Sequence, residues 1–465
     1  MRKQLTVALA CTTLLAGAVA ANAANYDRTT AHPVEVNIHG ASAQFGFWNA
    51  AAKDFVTETV ANKGLGCTHR STAIDSINGK TFGLVIGTSC AALGNKDVVI
   101  RYSSKASYDG IYAVQGITGT DGCTGTSRLM PDDAQVPAPT ATTDTAAATA
   151  LTQAQTFCSP VQLGASDVNG SSFTQSSAGR TAWNNATNYT IDGVNSPAFH
   201  GVSTTGLLDT QSLVVPFAFF VNNNVTVKTC GSTAPHFPLG QCTQETDCGG
   251  TNGTTTYCGA PATLDNISRL MAVQIFSGTA VNWQDFGAGF SSQNIVACYR
   301  HAGSGTHATL DKSVMFNNNW GATTQTAQTF SSQTDNGDWQ QIFNVDTGTE
   351  MSCIANYAGG IGYADADSSQ AGTTRLKYNG VVANRSNLRN GLYDTFYTHE
   401  HLFSKEANLS TDQKSARDKM ITYVTVHAFP SNKADFWATA GEMVWTKGIN
   451  DAGYPAYIAP ATMTP

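Results

Sequence analysis

The chain has 465 residues, only 13% of them charged, and a formal net charge of −7. That acidity, with few clustered lysines, excludes a nucleic-acid-binding surface, and the length calls for two domains rather than one ordinary core. Aliphatic and aromatic positions recur throughout, so the abundant Gly, Ser, Thr and Asn read as long polar loops of a globular protein, not as disorder.

Met1-Arg2-Lys3, the apolar segment from Leu5 to Ala20, and Ala21-Asn22-Ala23 have the charged, apolar and small-residue parts of a secretion signal, with cleavage expected after Ala23. Cys11, in VALAC, follows too short an apolar stretch for a lipoprotein signal. No other apolar run approaches the ~20 residues of a membrane helix, the longest being Leu213 to Val221. The mature protein is therefore expected to be soluble and exported, periplasmic or secreted.

The first predicted elements are a strand in PVEVNIHG, alternating Val34, Val36 and Ile38, and a helix with Phe47, Ala51, Phe55 and Val60 near one face; a tight Gly-Ala-Ser turn joins them. KDVVIRYSS is another strand. Between Thr118 and Phe157 a Thr/Ala/Pro-rich run reads as a surface excursion tied at its base, and the stretch from Thr229 to Gly259 reads as a cysteine-stapled external loop. NISRLMAVQIFSG predicts a helix with Ile267, Leu270, Met271 and Ile275 inward, stopped by Gly278. A last helix opens at the Ser/Thr cap of STDQKSARDKMITYVTVHAF and ends before Pro430. Strands separated by helices predict an α/β fold.

Without Cys11 the cysteines form an even set suited to an oxidising compartment, where disulfides are the default. They group by sequence proximity: Cys67 with Cys90, Cys123 with Cys158, Cys230 and Cys242 beside Cys248 and Cys258, and Cys298 with Cys353. Zinc is an alternative for the middle four, although they lack the close pairs of zinc modules.

The most informative segment is IVACYRHAGSGTHATLDKSVM, Ile295 to Met315. A strand feeds a Gly-rich turn and a helix, which leaves unpaired backbone N–H groups and the positive end of the helix dipole at the tip. Ser304 and Thr306 add hydroxyls, Gly303 and Gly305 admit close approach, and Arg300 offers a planar fork of donors: an anion cradle. HGASAQF, YSSKASYDG and QLGASDV are further small-residue turns after apolar segments.

Taken with ISRLMAVQIFSGTAVNWQDFG, YAGGIGYADAD and VVPFAFFVNNN, in that family's order, these turns resemble the periplasmic phosphate-binding proteins of phosphate ABC transporters, in the type II periplasmic-binding-protein superfamily. Trp283 falls on that family's turn tryptophan. The resemblance implies an α/β fold of two lobes with two hinge crossings, near Val214 to Phe219 and near Leu392 to Tyr397. Lobe I would be residues 24–216 and 395–465, lobe II residues 217–394, after a 1–23 signal peptide. It implies ligand contacts at Gln44, Phe45, Ser107, Asp167, Arg300, Ser304, Gly305 and Thr306, with both backbone and side-chain donors from the first loop. Asp167 would select an anion that brings a proton, such as hydrogen phosphate or arsenate, over sulfate.

The chain also departs from the pattern. Gln44 stands where the family usually has Thr, Ala302 where it has a second Asp, and Tyr108 and Asp109 replace small residues beside Ser107, adding bulk and a negative charge near the rim. A bulkier phosphorylated or other anionic ligand would suit such an altered mouth, which the Cys123 to Cys158 excursion is placed to overhang.

The expectation is thus an exported solute-binding protein that captures phosphate or a related oxyanion without cofactor or metal, a monomer partnered by an ABC transporter permease. The alternative is a secreted phosphatase-like or adhesive protein of DING type without a transporter. Neither Ser-containing turn is a complete Gly-x-Ser-x-Gly elbow. His399 and His401, on one side of a strand, lack the helical spacing of a zinc motif, and YADADSSQ lacks the later glycine and glutamate of a calcium loop.

Overall fold

The computed structural model describes residues 24–75, 82–119, 121–141, 149–151, 155–173, 201–235, 240–315, 340–344, 346–393, 395–427, 434–447 and 456–457. The expected signal segment lies outside the described residues.

One large mixed sheet organises the chain. Its first part holds β1 (Val34–Gly40), β2 (His69–Asp75), β3 (Phe82–Cys90), β4 (Lys96–Ser104) and β5 (Leu163–Ser166). The long β6 (Leu208–Asn222) leads to β7 (Val296–Arg300), β8 (Gln340–Asn344) and β9 (Gly360–Asp365), and β10 (Tyr397–Ser404) returns. The order across the sheet is β8-β7-β9-β6-β10-β5-β1-β4-β3-β2. β1 lies parallel to β4 and β5, and β7 parallel to β8 and β9, with the helical connections that parallel pairing demands.

β6 belongs to both parts. Leu208 to Pro216 pair with β10, and Phe217 to Val221 pair with β9. Every residue from Leu213 to Val221 is buried, which explains the unbroken apolar run. Pro216, with no N–H to give a ladder, stands where the partner changes. The main apolar cluster is continuous across the change, from Val36 and Trp48 through Phe219 to Trp283 and Ile361.

Helix α1 (Ser42–Thr57) buries Phe45, Phe47, Trp48, Ala51, Phe55 and Val56. It stops at Thr57, so Val60, expected on its inner face, is 46% exposed. Helix α2 (Ser107–Gln115) follows β4. Helix α3 (Arg269–Phe276) starts at Ser268, whose hydroxyl accepts from Met271 N, and its buried face is Ala272, Ile275 and Phe276. Leu270, expected inward, falls on the opposite side of the first turn and is 67% exposed. Trp283 is buried and donates to Gly359 O at 3.1 Å. Helix α4 (Gly305–Thr309) continues as a π-helical turn, Leu310–Val314. Helix α5 (Thr347–Asn356) precedes β9, and α6 (Thr411–Val426) is capped reciprocally by Ser410 and Gln413. Among the described residues no helix is long and apolar enough to cross a membrane.

Disulfides join Cys67–Cys90, Cys123–Cys158 and Cys298–Cys353, as sequence proximity suggested. The middle four interleave instead: Cys230–Cys248 and Cys242–Cys258, where neighbour pairing would join Cys230 to Cys242. The interleaving packs Cys230, Cys242 and Cys248 with Ala234 into a small core of their own, which an external loop of this polarity otherwise lacks. With both sulfur pairs oxidised, these cysteines have no thiolate for the zinc alternative. Peptide mapping without reduction should recover Cys230 linked to Cys248; a Cys230–Cys242 peptide would overturn the arrangement.

The run from Thr118 to Phe157 is not a simple surface excursion. Ser127–Pro131 pairs antiparallel with Thr156–Pro160, and Thr149–Leu151 adds an edge to β2. Arg128 and Met130 are fully buried and Asp133 accepts from Arg101 at 2.5 Å, so much of this segment is core.

Candidate functional site

The four small-residue turns picked out from the sequence come together. β1 ends at Gly40 and α1 begins at Ser42; β4 ends at Ser104 and α2 begins at Ser107; β5 ends at Ser166, just before Asp167; β7 ends at Arg300 and α4 begins at Gly305. A fifth tip, the start of α5 at Thr347, joins them. The first-turn N–H groups of each helix lack intrahelical acceptors and carry the positive end of its dipole.

Contacts among these tips are short. Gly305 N and Asp167 N both donate to Ser107 Oγ, at 3.1 and 3.2 Å. Thr306 Oγ1 donates to Asp167 Oδ2 at 3.4 Å, and Tyr108 N to Gly303 O at 3.2 Å. A Cβ on Gly305 would lie 2.5 Å from Ser107 Oγ and 2.6 Å from Asp167 Cβ, so this position needs glycine for the two tips to meet. Ser304 caps α4, its hydroxyl accepting from His307 N.

Arg300 is 1% exposed. Its Nη1 donates to Thr347 Oγ1 at 2.9 Å, and its backbone N–H to the Tyr363 hydroxyl at 3.1 Å. Thr347 Oγ1 lies 3.3 Å from Ser42 Oγ, which links the α5 tip to the α1 tip. Burial raises the Asp167 carboxyl above its ordinary range, opposed by the Arg300 charge and by hydrogen bonds from Glu400, Ser107 and Thr306. Burial raises Glu350 further, opposed by Arg300, and Glu350 Oε1 accepts from Tyr363 N at 3.1 Å.

Two expected first-loop roles need correction. The Gln44 side chain is committed to the fold: Nε2 donates to Ser166 O at 3.0 Å and to His401 O at 3.3 Å, and Oε1 accepts from Trp48 Nε1 at 2.8 Å. The Phe45 ring packs edge-on against Tyr102, at 5.5 Å between centroids. Both residues offer an anion only the backbone at the start of α1.

The rim charge expected from Asp109 is absent as well, because Asp109 is buried and neutralised. It accepts from Arg128 Nη2 at 2.8 Å, with His39 Nε2 at 3.0 Å and Lys105 Nζ at 3.2 Å. Burial works to raise its carboxyl, but His39, Lys105 and Arg128 together hold it well below the ordinary carboxylate range. Tyr108 is fully buried in an apolar cluster with Ile111 and Ala302, so its bulk fills core rather than a ligand mouth. His401 Nδ1 lies 2.9 Å from Asp209 Oδ2, a side-chain pair that accounts for one of the two strand histidines.

Sequence reasoning missed Ser42, Thr347, Glu350 and Glu400. The cap Asp346 ahead of Thr-Gly-Thr, preceding the Gly-Ile-Gly-Tyr strand, is the signal that marks the α5 tip. A surface hollow lined by Lys228, Thr243, Pro261 and Phe290 shares no residue with the site.

Residues 250–414 match the family model described as a PBP superfamily domain. Solved structures similar to the chain include a Clostridium perfringens protein assigned as a phosphate ABC transporter substrate-binding protein, with bound phosphate. It is 15% identical, with 84% of this chain and 92% of that one covered and a TM-score of 0.41. The phosphate-binding protein of Stenotrophomonas maltophilia is 12% identical, with 86% and 88% covered and a TM-score of 0.40. An ABC-type phosphate transport receptor of Vibrio cholerae is 9% identical, with 85% and 100% covered and a TM-score of 0.37. No curated protein matches. Arg300, the α4 cradle and the α5 tip all lie inside the segment that resembles that family model.

Proposed function

We propose that the protein captures phosphate, or a closely related protonated oxyanion, in the cleft between two α/β lobes and releases it for uptake. The observation that carries this reading is the meeting of the α1, α2, α4 and α5 N-termini around Arg300 and Asp167. Such a cleft offers backbone N–H groups, hydroxyls and one guanidinium to an anion, and one carboxylate to the proton the anion brings. Sulfate, with no proton to give at neutral pH, would face Asp167 as bare negative charge.

Lobe I would comprise residues 24–216 and 395–465 and lobe II residues 217–394; the change of partner along β6 at Pro216 supports that division. No disulfide joins the two sets of residues, which leaves closure about the β6 and β10 crossings free of covalent restraint. We read the protein as a binder and not an enzyme: the Ser107 oxygen that would have to attack already accepts two backbone N–H groups, from Asp167 and Gly305. In this reading it is a monomer, exported after cleavage behind Ala23, and delivers its ligand to an ABC transporter permease.

The test is a calorimetric titration of the mature protein, freed of bound anion by partial unfolding and refolding, with phosphate and then sulfate near neutral pH. Saturable phosphate binding with no sulfate heat is expected. A folded protein that binds neither would remove the reading.

A further inference from the structure

Asp167 stands opposite a second carboxyl. Ser166 at the end of β5 pairs with His401 on antiparallel β10, so one step further along the register Asp167 faces Glu400. Side chains so placed share a face, with Cβ atoms roughly 5 Å apart. Thr398 Oγ1 fastens the strands there, donating to Asp167 O at 2.5 Å.

Glu400 is 3% exposed, and neither of its oxygens nor Asp167 Oδ1 has a hydrogen-bond partner at ordinary distance. The Asp167 charge raises Glu400, and Glu400 as a donor favours the Asp167 carboxylate. Two buried carboxylates this close do not both ionise; they hold one proton between them. Burial, then the charge and hydrogen bond of Asp167, raise Glu400 well above the ordinary range, so Glu400 keeps that proton. The remaining groups facing the pair are Arg300, Ser107 and Thr306 beside Asp167, Gln44 and Asp365 beside Glu400, and the Tyr102 phenol, which feels both charges.

We propose that Glu400 is a positioning residue for the ligand-facing acceptor: its O–H is donated to one Asp167 oxygen, and the other is left to accept the ligand's proton. The idea rests on the oxyanion reading of the cleft and deepens it. Ala302 stands where the resemblance leads one to expect a second ligand-facing carboxylate, and here the second carboxyl comes from a different strand, behind Asp167, as a donor.

The test compares phosphate and sulfate binding by the mature protein, Glu400→Gln and Glu400→Leu from about pH 5 to pH 8.5, with thermal melts to confirm folding. Gln keeps a donor of similar size, so its profile should follow wild type. Leu removes the donor, so Asp167 takes up a proton at higher pH and the preference for phosphate should fail about one pH unit or more earlier on acidification. The infrared spectrum of ligand-free wild type should also contain a protonated-carboxyl band that Glu400→Gln lacks. A Leu profile superimposed on wild type, a Gln profile matching Leu, or no change in that band would overturn the role of Glu400. Wild type that binds no phosphate at any pH would instead sink the oxyanion reading, and this inference with it.

Discussion

Arg300→Ala is expected to lower phosphate affinity by on the order of a hundredfold or more, since removing one side of a buried charge-assisted contact typically costs about 2–5 kcal/mol. Arg300 is the guanidinium among the converging helix tips, and its Nη1 bond to Thr347 aims it from the α5 side of the cleft. The variant should nonetheless fold. Burial already pushes Glu350 towards its neutral form, and Asp167 keeps its hydrogen bonds from Ser107 and Thr306, so losing the cation does not strand two bare charges. Calorimetric titration paired with a thermal melt checks both halves. Phosphate binding by Arg300→Ala within about threefold of wild type would mean that the backbone donors alone hold the anion.

Asp109→Ala should instead leave the ligand contacts in place and damage the fold, by about 3–5 kcal/mol, as expected when a buried cation loses its partner. Arg128 is fully buried and spends two nitrogens on Asp109, at 3.1 and 2.8 Å, while His39 lies on its other oxygen. The pH dependence follows from the sign of the shift. The Asp109 carboxyl is held below its unfolded value, so its contribution is present above that value, about 3.9 for Asp, and fades as pH falls below it. The difference in melting temperature between Asp109→Ala and wild type should be large at neutral pH and shrink in acid. A difference that does not change with pH would assign the loss to packing rather than charge.

These two arginines also mark what can be read from the chain alone. The place of Arg300 at a strand tip is legible because its surroundings are local: the strand before it, Gly303 and Gly305 after it, and the helix start at Gly305 lie within a few residues. The same holds for Ser107 and Asp167, each at the tip of its own strand. Asp109 was misplaced because its charge is cancelled by His39 from β1 and Arg128 from the paired segment beyond α2, and no spacing in the sequence announces those partners. Glu400 becomes visible only through the β5–β10 register, and Gln44 is withdrawn from the cleft by carbonyls of Ser166 and His401, more than a hundred residues away. Local chemistry locates the tips; long-range pairing decides which side chains reach the space between them.

The sheet order also governs when the protein can fold. β5 finds one neighbour in β1 but the other in β10, and α6 packs against β1 and α1, so the first-formed part of the chain cannot be completed until residues beyond 400 are available. By contrast, every disulfide closes a segment of at most 55 residues and can form as its own region emerges. Contacts of such long sequence separation are slow to form. The chain therefore stays open at its β5 edge until most of it has been delivered, and β10, arriving late, brings Glu400 to Asp167 as it seals that edge.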